Sequence, residues 1–361
     1  MSAPLRIAVS GIHLGENPQP GPGVIRSLRE GLGSDIEVIG LAYDALDSSL
    51  FCPGLLDDAF LMPYPSAGPE PWFDRLREIS EEGGLDVLIP CLDVELPMLL
   101  RLEPRLRELG VGVVLPTAES LARRAKPRLP ELAGEVGIAV PETCSLLDRA
   151  GLTPAGARLG WPLVVKGPFY EAETVHGPAE AAAAFDRLSA RWGLPLLAQR
   201  WVKGEEYDVI ALGDGEGGVH GPVAMRKTVV TKLGKAWGAV TVADEELLDA
   251  ARRVVAALRW RGGCEVEMLR SADGRLWLIE VNPRFPAWVY LATAAGCNLP
   301  LGLLKLALGE PLPQYGGYRV GTCYVRHAVE AVGDLEDIES LLAFGRMRRR
   351  GGRTREVAHH V

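Results

Sequence analysis

Four polar side chains in one short stretch carry the clearest chemistry. The segment 262–285, GGCEVEMLRSADGRLWLIEVNPRF, sets Glu265 two residues before Glu267 and Glu280 two residues before Asn282. On a β-strand, residues two apart face the same way. Asp273-Gly274, a good hairpin turn, lies between the two runs. Pairing the strands across that turn predicts Glu267, Glu280 and Asn282 in one cluster. Oxygen donors without His or Cys suit a hard cation, Mg²⁺ or Mn²⁺, whose shell is usually completed by phosphate oxygens. Arg284 follows Asn282 by two residues, where its fork of donors would meet developing phosphoryl charge. Leu278, Ile279 and Val281 are apolar, so the acids are expected to emerge from a buried hairpin. Like charges gathered there cost stability unless a cation joins them. The plain alternative is an exposed polar strand face.

These residues resemble the metal-binding strand pair of the ATP-grasp superfamily. That pair ends in a Glu-x-Asn motif, here Glu280-Val281-Asn282-Pro283-Arg284. The Pro-Arg ending is most similar to carbamoyl-phosphate synthetase-like and biotin carboxylase-like members. Glu267 stands thirteen residues before Glu280, a separation the superfamily uses. The resemblance spans about residues 85–310. It implies ATP and Mg²⁺ (or Mn²⁺) as cofactors, with Glu267, Glu280 and Asn282 on the metal. It implies that Lys126 and Lys166 grip the nucleotide phosphates, and that Lys166 and Arg284 are the catalytic groups. Lys166 closes the apolar run PLVVK, and a lysine ending a buried strand needs an anionic partner in any case. In LLAQRWVKGEEYDV (196–209), the resemblance implies a hinge between two nucleotide-clamping lobes. Gln199, Arg200, Trp201 and Val202 would meet adenine, and Glu206 would accept from the ribose hydroxyls. Many members carry a Gly-rich loop after the second lysine. Here KGPFYEAETVHG (166–177) has Gly167 and then none before Gly177, with bulky Phe169 and Tyr170 between.

Two further stretches are candidates for the acceptor substrate. MRKTVVTKLGKAWG (225–238) carries Arg226, Lys227, Lys232 and Lys235, which could neutralise phosphates or a substrate carboxylate. A solvated loop is the plain alternative. The turn-rich loop GENPQPGPG (15–23), with Asn17, is expected to serve as substrate loop or lid.

The elements that must position these residues follow from apolar runs. Strands are expected at 5–10, 36–41, 86–90 and 111–115, alternating with helices near 24–31, 71–82 and 94–109. That alternation predicts a parallel sheet with helices on both faces and ligands beyond the carboxyl ends of its strands. Those ends carry Gly11–Gly23 and Asp93–Glu95. Short helices and a Pro-flanked strand fill 116–141. Strands at 162–166, 195–199, 206–213, 219–229, 238–242, 263–269 and 276–281, with helices near 178–191 and 244–259, then predict an α+β region. The fold class is α/β and α+β. The resemblance makes it an N-terminal Rossmann-like pre-ATP-grasp domain followed by a two-lobed ATP-grasp domain. The expected division is 1–115, then 116–310 (lobes about 116–200 and 201–310), then 311–361, a strand/helix extension with a basic tail.

Composition narrows the function classes. The chain has 361 residues, 47% hydrophobic, enough for two or three domains. Its net charge of −8 argues against a nucleic-acid partner. The basic run Arg346, Arg348, Arg349, Arg350, Arg353 and Arg355 reads as a solvated tail. Six cysteines without a CxxC pair suit reduced thiols. No run is long enough for a signal peptide or a membrane span, so a cytoplasmic protein with no membrane partner is expected. The function expected is an ATP-dependent carboxylate–amine ligase that forms an amide or peptide bond through an acylphosphate. Its partners would be small-molecule or peptide acids and amines, and a homodimer is compatible with the resemblance. Two alternatives stay open: a bicarbonate-activating enzyme of the carbamoyl or carboxylase type, and a nucleotide-binding module without turnover.

Overall fold

The computed structural model describes residues 3–15, 17–167, 171–231 and 236–347. Among these residues the chain forms three sheets. The first holds β1 (Leu5–Ser10), β2 (Ile36–Ala42), β3 (Asp58–Leu61), β4 (Val87–Ile89) and β5 (Gly112–Val113). They run parallel in the order β3-β2-β1-β4-β5. Both faces are covered, which is why the strands read as continuous apolar runs. Helix α1 (Gly21–Leu32) packs Val24, Ile25 and Leu28 on the face of Ile7 and Val9. Helices α2 (Pro69–Gly83) and α3 (Leu96–Glu108) cover the face of Ala8, Ile39 and Leu88.

Helices α4 (Ala118–Arg123) and α5 (Leu129–Val136) lead to a small antiparallel sheet. It contains β6 (Thr143–Leu146), β7 (Leu163–Lys166), β8 (Ala172–Val175) and β9 (Leu196–Arg200), in the order β6-β9-β7-β8. Helices α6 (Leu152–Leu159) and α7 (Pro178–Trp192) bury its apolar face. The large antiparallel sheet follows: β10 (Gly204–Asp214), β11 (Val219–Val230), β12 (Ala236–Thr241), β13 (Arg261–Ser271), β14 (Leu276–Asn282) and β15 (Cys323–Val325). Its order is β14-β13-β10-β11-β12-β15.

The two faces of the large sheet differ, and the difference decides the site. Tyr207, Val209, Ala211, Val266 and Leu278 pack under α5 and α8 (Glu245–Ala257). Ile210, Leu212, Val223 and Met225 point the other way, into a core shared with α1, α9 (Val289–Ala294) and α10 (Leu299–Ala307). That second core joins the large sheet to the parallel one. Past it, α11 (Leu335–Phe344) ends the described chain.

Several elements depart from expectation. Helix α1 begins at Gly21, not near Val24, so the loop after β1 is shorter than expected. A Cβ at Gly21 would lie 2.6 Å from the carbonyl oxygens of Ser10 and Gly11, so glycine permits the helix to start directly against the end of β1. The strand expected before residue 141 reduces to one bridge between Ala139 and Trp277, and β5 is only two residues long. Strands β3, β6 and β8 and helices α6, α9 and α10 were not foreseen. Helix α10, LPLGLLKLA, is apolar nearly all round because it is buried, and so lacks an amphipathic period. Arg346 does not behave as a solvated tail: it pairs with Asp58 at 2.8 Å and Glu82 at 2.6 Å. The remaining arginines of that run lie outside the described residues.

Candidate active site

Strands β13 and β14 set Glu265 opposite Asn282 and Glu267 opposite Glu280. Gly274 takes φ 86° in the turn between them, a conformation open to glycine. The register slips between Glu267 and Met268, leaving Ile279 as an extra residue. Such a bulge re-aims its neighbours. Leu278 and Val281 stay in the core under α8, while Ile279, Glu280 and Asn282 turn to the opposite side. Asn282 is buried, and its Nδ2 donates to Glu265 Oε2 at 2.8 Å and to Glu267 Oε1 at 2.7 Å. Glu265 also accepts from Trp288 Nε1. Burial, with Glu267 beside it, raises the Glu265 carboxyl above the usual range.

Strand β10 extends this face. Asp208 lies opposite Glu267, and Glu206 precedes Asp208 by two residues. Lys227 on β11 reaches across, its side chain 7% exposed. Its Nζ stands 3.0 Å from Glu206, 3.4 Å from Asp208 and 3.6 Å from Glu267. Burial works against its charge, but Asp208, Glu267 and Glu206 outweigh burial and hold the ammonium well above its ordinary pKa.

The small sheet faces these acids with two lysines. Lys126, in a single turn before α5, places Nζ 3.4 Å from Glu280 Oε1. Lys166 closes β7. Burial lowers its pKa; Glu280 opposes that shift and Lys126 adds to it. A narrow cleft opens here. Leu129, Val140, Leu197 and Ile279 line it together with Lys126, Lys166 and Gln199. Gln199 Nε2 donates to Thr143 Oγ1 at 3.0 Å. Trp201, Val202 and Lys203 form the short link from β9 in the small sheet to β10 in the large one.

Not every expected residue joins this cluster. Arg226 was expected beside Lys227 but lies on the other face of the sheet, 3.5 Å from Glu205. The cause is strand alternation: consecutive side chains point opposite ways. The Arg200 side chain turns to Glu142 at 2.7 Å, leaving its backbone at the end of β9. Arg284 donates from Nε to Asp93 at 2.9 Å and from Nη1 to the carbonyl of Phe285. It thereby ties the end of β14 to the carboxyl edge of the parallel sheet. Asn17 is exposed in the loop before α1. Lys232, Lys235, Phe169 and Tyr170 lie outside the described residues. Asp208 and Trp288 were missed. A signal for Asp208 was present: Glu206-x-Asp208, Glu265-x-Glu267 and Glu280-x-Asn282 repeat one spacing on three adjacent strands.

At the same edge of the parallel sheet, Glu95 is fully buried. Its carboxyl accepts from Ser10 Oγ and Tyr43 Oη, each at 2.6 Å, and from the Leu92 N–H at 3.2 Å. Burial outweighs these bonds and pushes it up to about 7. Between its ordinary value and about 7, the folded protein therefore binds a proton that the unfolded chain has released. Stability must fall as pH rises through that window, by on the order of 3 kcal/mol from this group. Glu95→Gln cannot release that proton. The variant is expected to gain stability relative to the parent as pH rises from about 5 to 7.5, measured by urea unfolding. A constant difference between the two would remove Glu95 as the source.

Among the described residues, no group of three His, Cys, Asp or Glu side chains is placed to hold a metal ion. The cluster offers two carboxylates and an amide oxygen instead, a hard-donor set. Ammonium groups lie against both acids, Lys126 on Glu280 and Lys227 on Glu267, so the site is already organised around positive charge. The residues present fit a divalent cation beside phosphates.

Known proteins share parts of this chain's sequence and its fold. A family model described as "ATP-grasp in the biosynthetic pathway with Ter operon" matches residues 194–325, from β9 through β15. Over that stretch the chain is similar to the ATP-grasp family. A D-alanine–D-alanine ligase of Chromohalobacter salexigens is 30% identical to this chain over 170 residues, covering 44% of the chain and 54% of that relative. The match therefore spans about half the relative's length. In fold, the chain is similar to the biotin carboxylase domain of Hydrogenobacter thermophilus 2-oxoglutarate carboxylase, solved with MgADP and bicarbonate. That pair has a TM-score of 0.68 at 15% identity, covering 90% of this chain and 74% of that one. It is also similar to an L-amino acid ligase from Bacillus licheniformis, with a TM-score of 0.63 at 18% identity over 85% of this chain and 75% of that one. No helix among the described residues is long and apolar enough to cross a membrane.

Proposed function

We propose that this chain is an ADP-forming carboxylate–amine ligase. The observation that carries the proposal is the meeting of Glu267, Glu280 and Asn282 with Lys126 and Lys166 beside one apolar-walled cleft. Similarity to a D-alanine–D-alanine ligase supports the choice of an acid and an amine as substrates. The proposed domain boundaries are 1–115, 116–310 and 311–361, the middle one holding the small sheet and all of the large sheet but β15. A cytoplasmic setting, small-molecule or peptide substrates and a homodimer belong to the same proposal.

In this scheme ATP supplies the phosphoryl group that converts the acid to an acylphosphate, which the amine then opens with loss of phosphate. Glu267, Glu280 and Asn282 hold Mg²⁺, whose charge would offset that of the phosphates. Leu197, Ile279 and Val140 wall the adenine, and Gln199 and the backbone of Arg200, Trp201 and Val202 border it. Glu206 accepts from the ribose. Lys126 and Lys166 hold phosphate oxygens; the lowered pKa of Lys166 reflects a desolvated ammonium that an incoming anion would stabilise. Lys227 keeps Glu206, Asp208 and Glu267 in register beneath the cation. Arg284, anchored on Asp93, brings positive charge to the border with the parallel sheet, where the acceptor is expected. Catalysis would rest on positioning and electrostatics rather than on a covalent protein group.

The test is ADP release from MgATP with pooled amino acids, short peptides and other small acids. Release is expected only when an acid and an amine are both present. Turnover driven by bicarbonate without an organic acid would replace this proposal with the carboxylase-type alternative. Absence of turnover with every pool would leave the nucleotide-binding module.

A further inference from the structure

Glu265 resembles a third metal ligand, since it precedes Glu267 by two residues on the same strand face. Its surroundings assign it a different task. Both of its oxygens are engaged: Oε1 accepts from Trp288 Nε1 at 2.5 Å, and Oε2 accepts from Asn282 Nδ2 at 2.8 Å. Glu265, Trp288 and Asn282 are all buried.

A primary amide has two N–H donors on its nitrogen and one carbonyl oxygen. Asn282 aims its nitrogen at two carboxylates, Glu265 and, at 2.7 Å, Glu267. Oδ1 therefore points away from both. The reversed amide would set its oxygen against two acceptor-only carboxylates, three acceptors with no donor between them. The paired carboxylates thus decide which end of Asn282 faces them and which is left for another partner.

We propose that Glu265, itself fixed by Trp288, is a positioning residue that turns the Asn282 oxygen toward the divalent cation. This rests on the proposed metal role of Asn282. Glu265 is not a ligand; it acts through Asn282. Glutamine at this position would offer one acceptor where two donors, Trp288 and Asn282, require one each.

The test is a double-mutant cycle read by Mn²⁺ affinity, using EPR of the free ion at saturating ADP. Metal-free ADP affinity and the melting temperature serve as parallel readouts. Glu265→Gln is expected to weaken Mn²⁺ binding by roughly 10- to 100-fold when Asn282 is present. In an Asn282→Ala background, the same change should alter it by no more than about twofold. ADP affinity without metal should not change. An equal loss in both backgrounds, or a lower melting temperature with unchanged Mn²⁺ affinity, would overturn the inference. If Asn282→Ala binds Mn²⁺ like the parent, the metal role of Asn282 fails and this inference with it. If Asn282→Ala weakens binding but Glu265→Gln does not, only the positioning role fails. Should Glu265→Gln not fold, Trp288→Phe, which removes the indole N–H together with one of the two rings, carries the same cycle.

Discussion

Glu280→Gln stops ADP release while the protein stays folded. Glu280 keeps 26% of its side chain exposed and packs against Lys126, so an isosteric neutral side chain leaves no buried void and no orphaned core group. What it removes is one of two carboxylates facing the cleft. Altering groups that merely orient a metal ligand costs roughly 10- to 100-fold, so losing the ligand itself should cost turnover at least about 10²-fold. The split between parameters is informative. Metal-free ADP should bind as well as before, because Lys126 and Lys166 keep their charge and lose a competing anion. Turnover near the parent rate would show that Glu280 is not at the metal.

Lys227→Met is expected to have the largest effect on stability. The lysine lies within 3.6 Å of three carboxylates, and its side chain is 7% exposed. Methionine fills much of the same volume but leaves Asp208 and Glu267 facing each other without that ammonium. Breaking a buried pair by removing one partner costs about 3–5 kcal/mol. Urea unfolding should report a loss of that size. Adding Asp208→Asn should recover part of it, because the pair then loses both charges and not one. A loss under about 1 kcal/mol would mean that solvent, not Lys227, screens the acids.

Much of this site was legible in the sequence because strand geometry is periodic. Two residues of spacing put Glu280 and Asn282 on one face, and a turn dipeptide paired them with Glu267. The same alternation explains the error at Arg226: its neighbour Lys227 occupies the acid face, so Arg226 must occupy the other. The partners that complete the site come from far along the chain. Asp93 meets Arg284 across 191 residues, and Lys126 meets Glu280 across more than 150, contacts that no local pattern announces. The bulge at Ile279 was equally hidden, since one extra residue leaves no trace in composition. In the fold, long runs such as β1 and β2 were clear. Short edge strands such as β8, AETV, and the all-apolar helix α10 lacked the periodicity that marks an element.

The central claim is that β13 and β14 present Glu267, Glu280 and Asn282 to one divalent ion beside a nucleotide. The most direct measurement is a crystal structure with ADP and Mn²⁺, locating the metal by its anomalous signal. Mn²⁺ should lie within roughly 2.0–2.3 Å of oxygens from these three side chains, with the diphosphate completing its shell near Lys126 and Lys166. Manganese bound elsewhere, or ADP lying away from the cleft of Gln199 and Ile279, would contradict it.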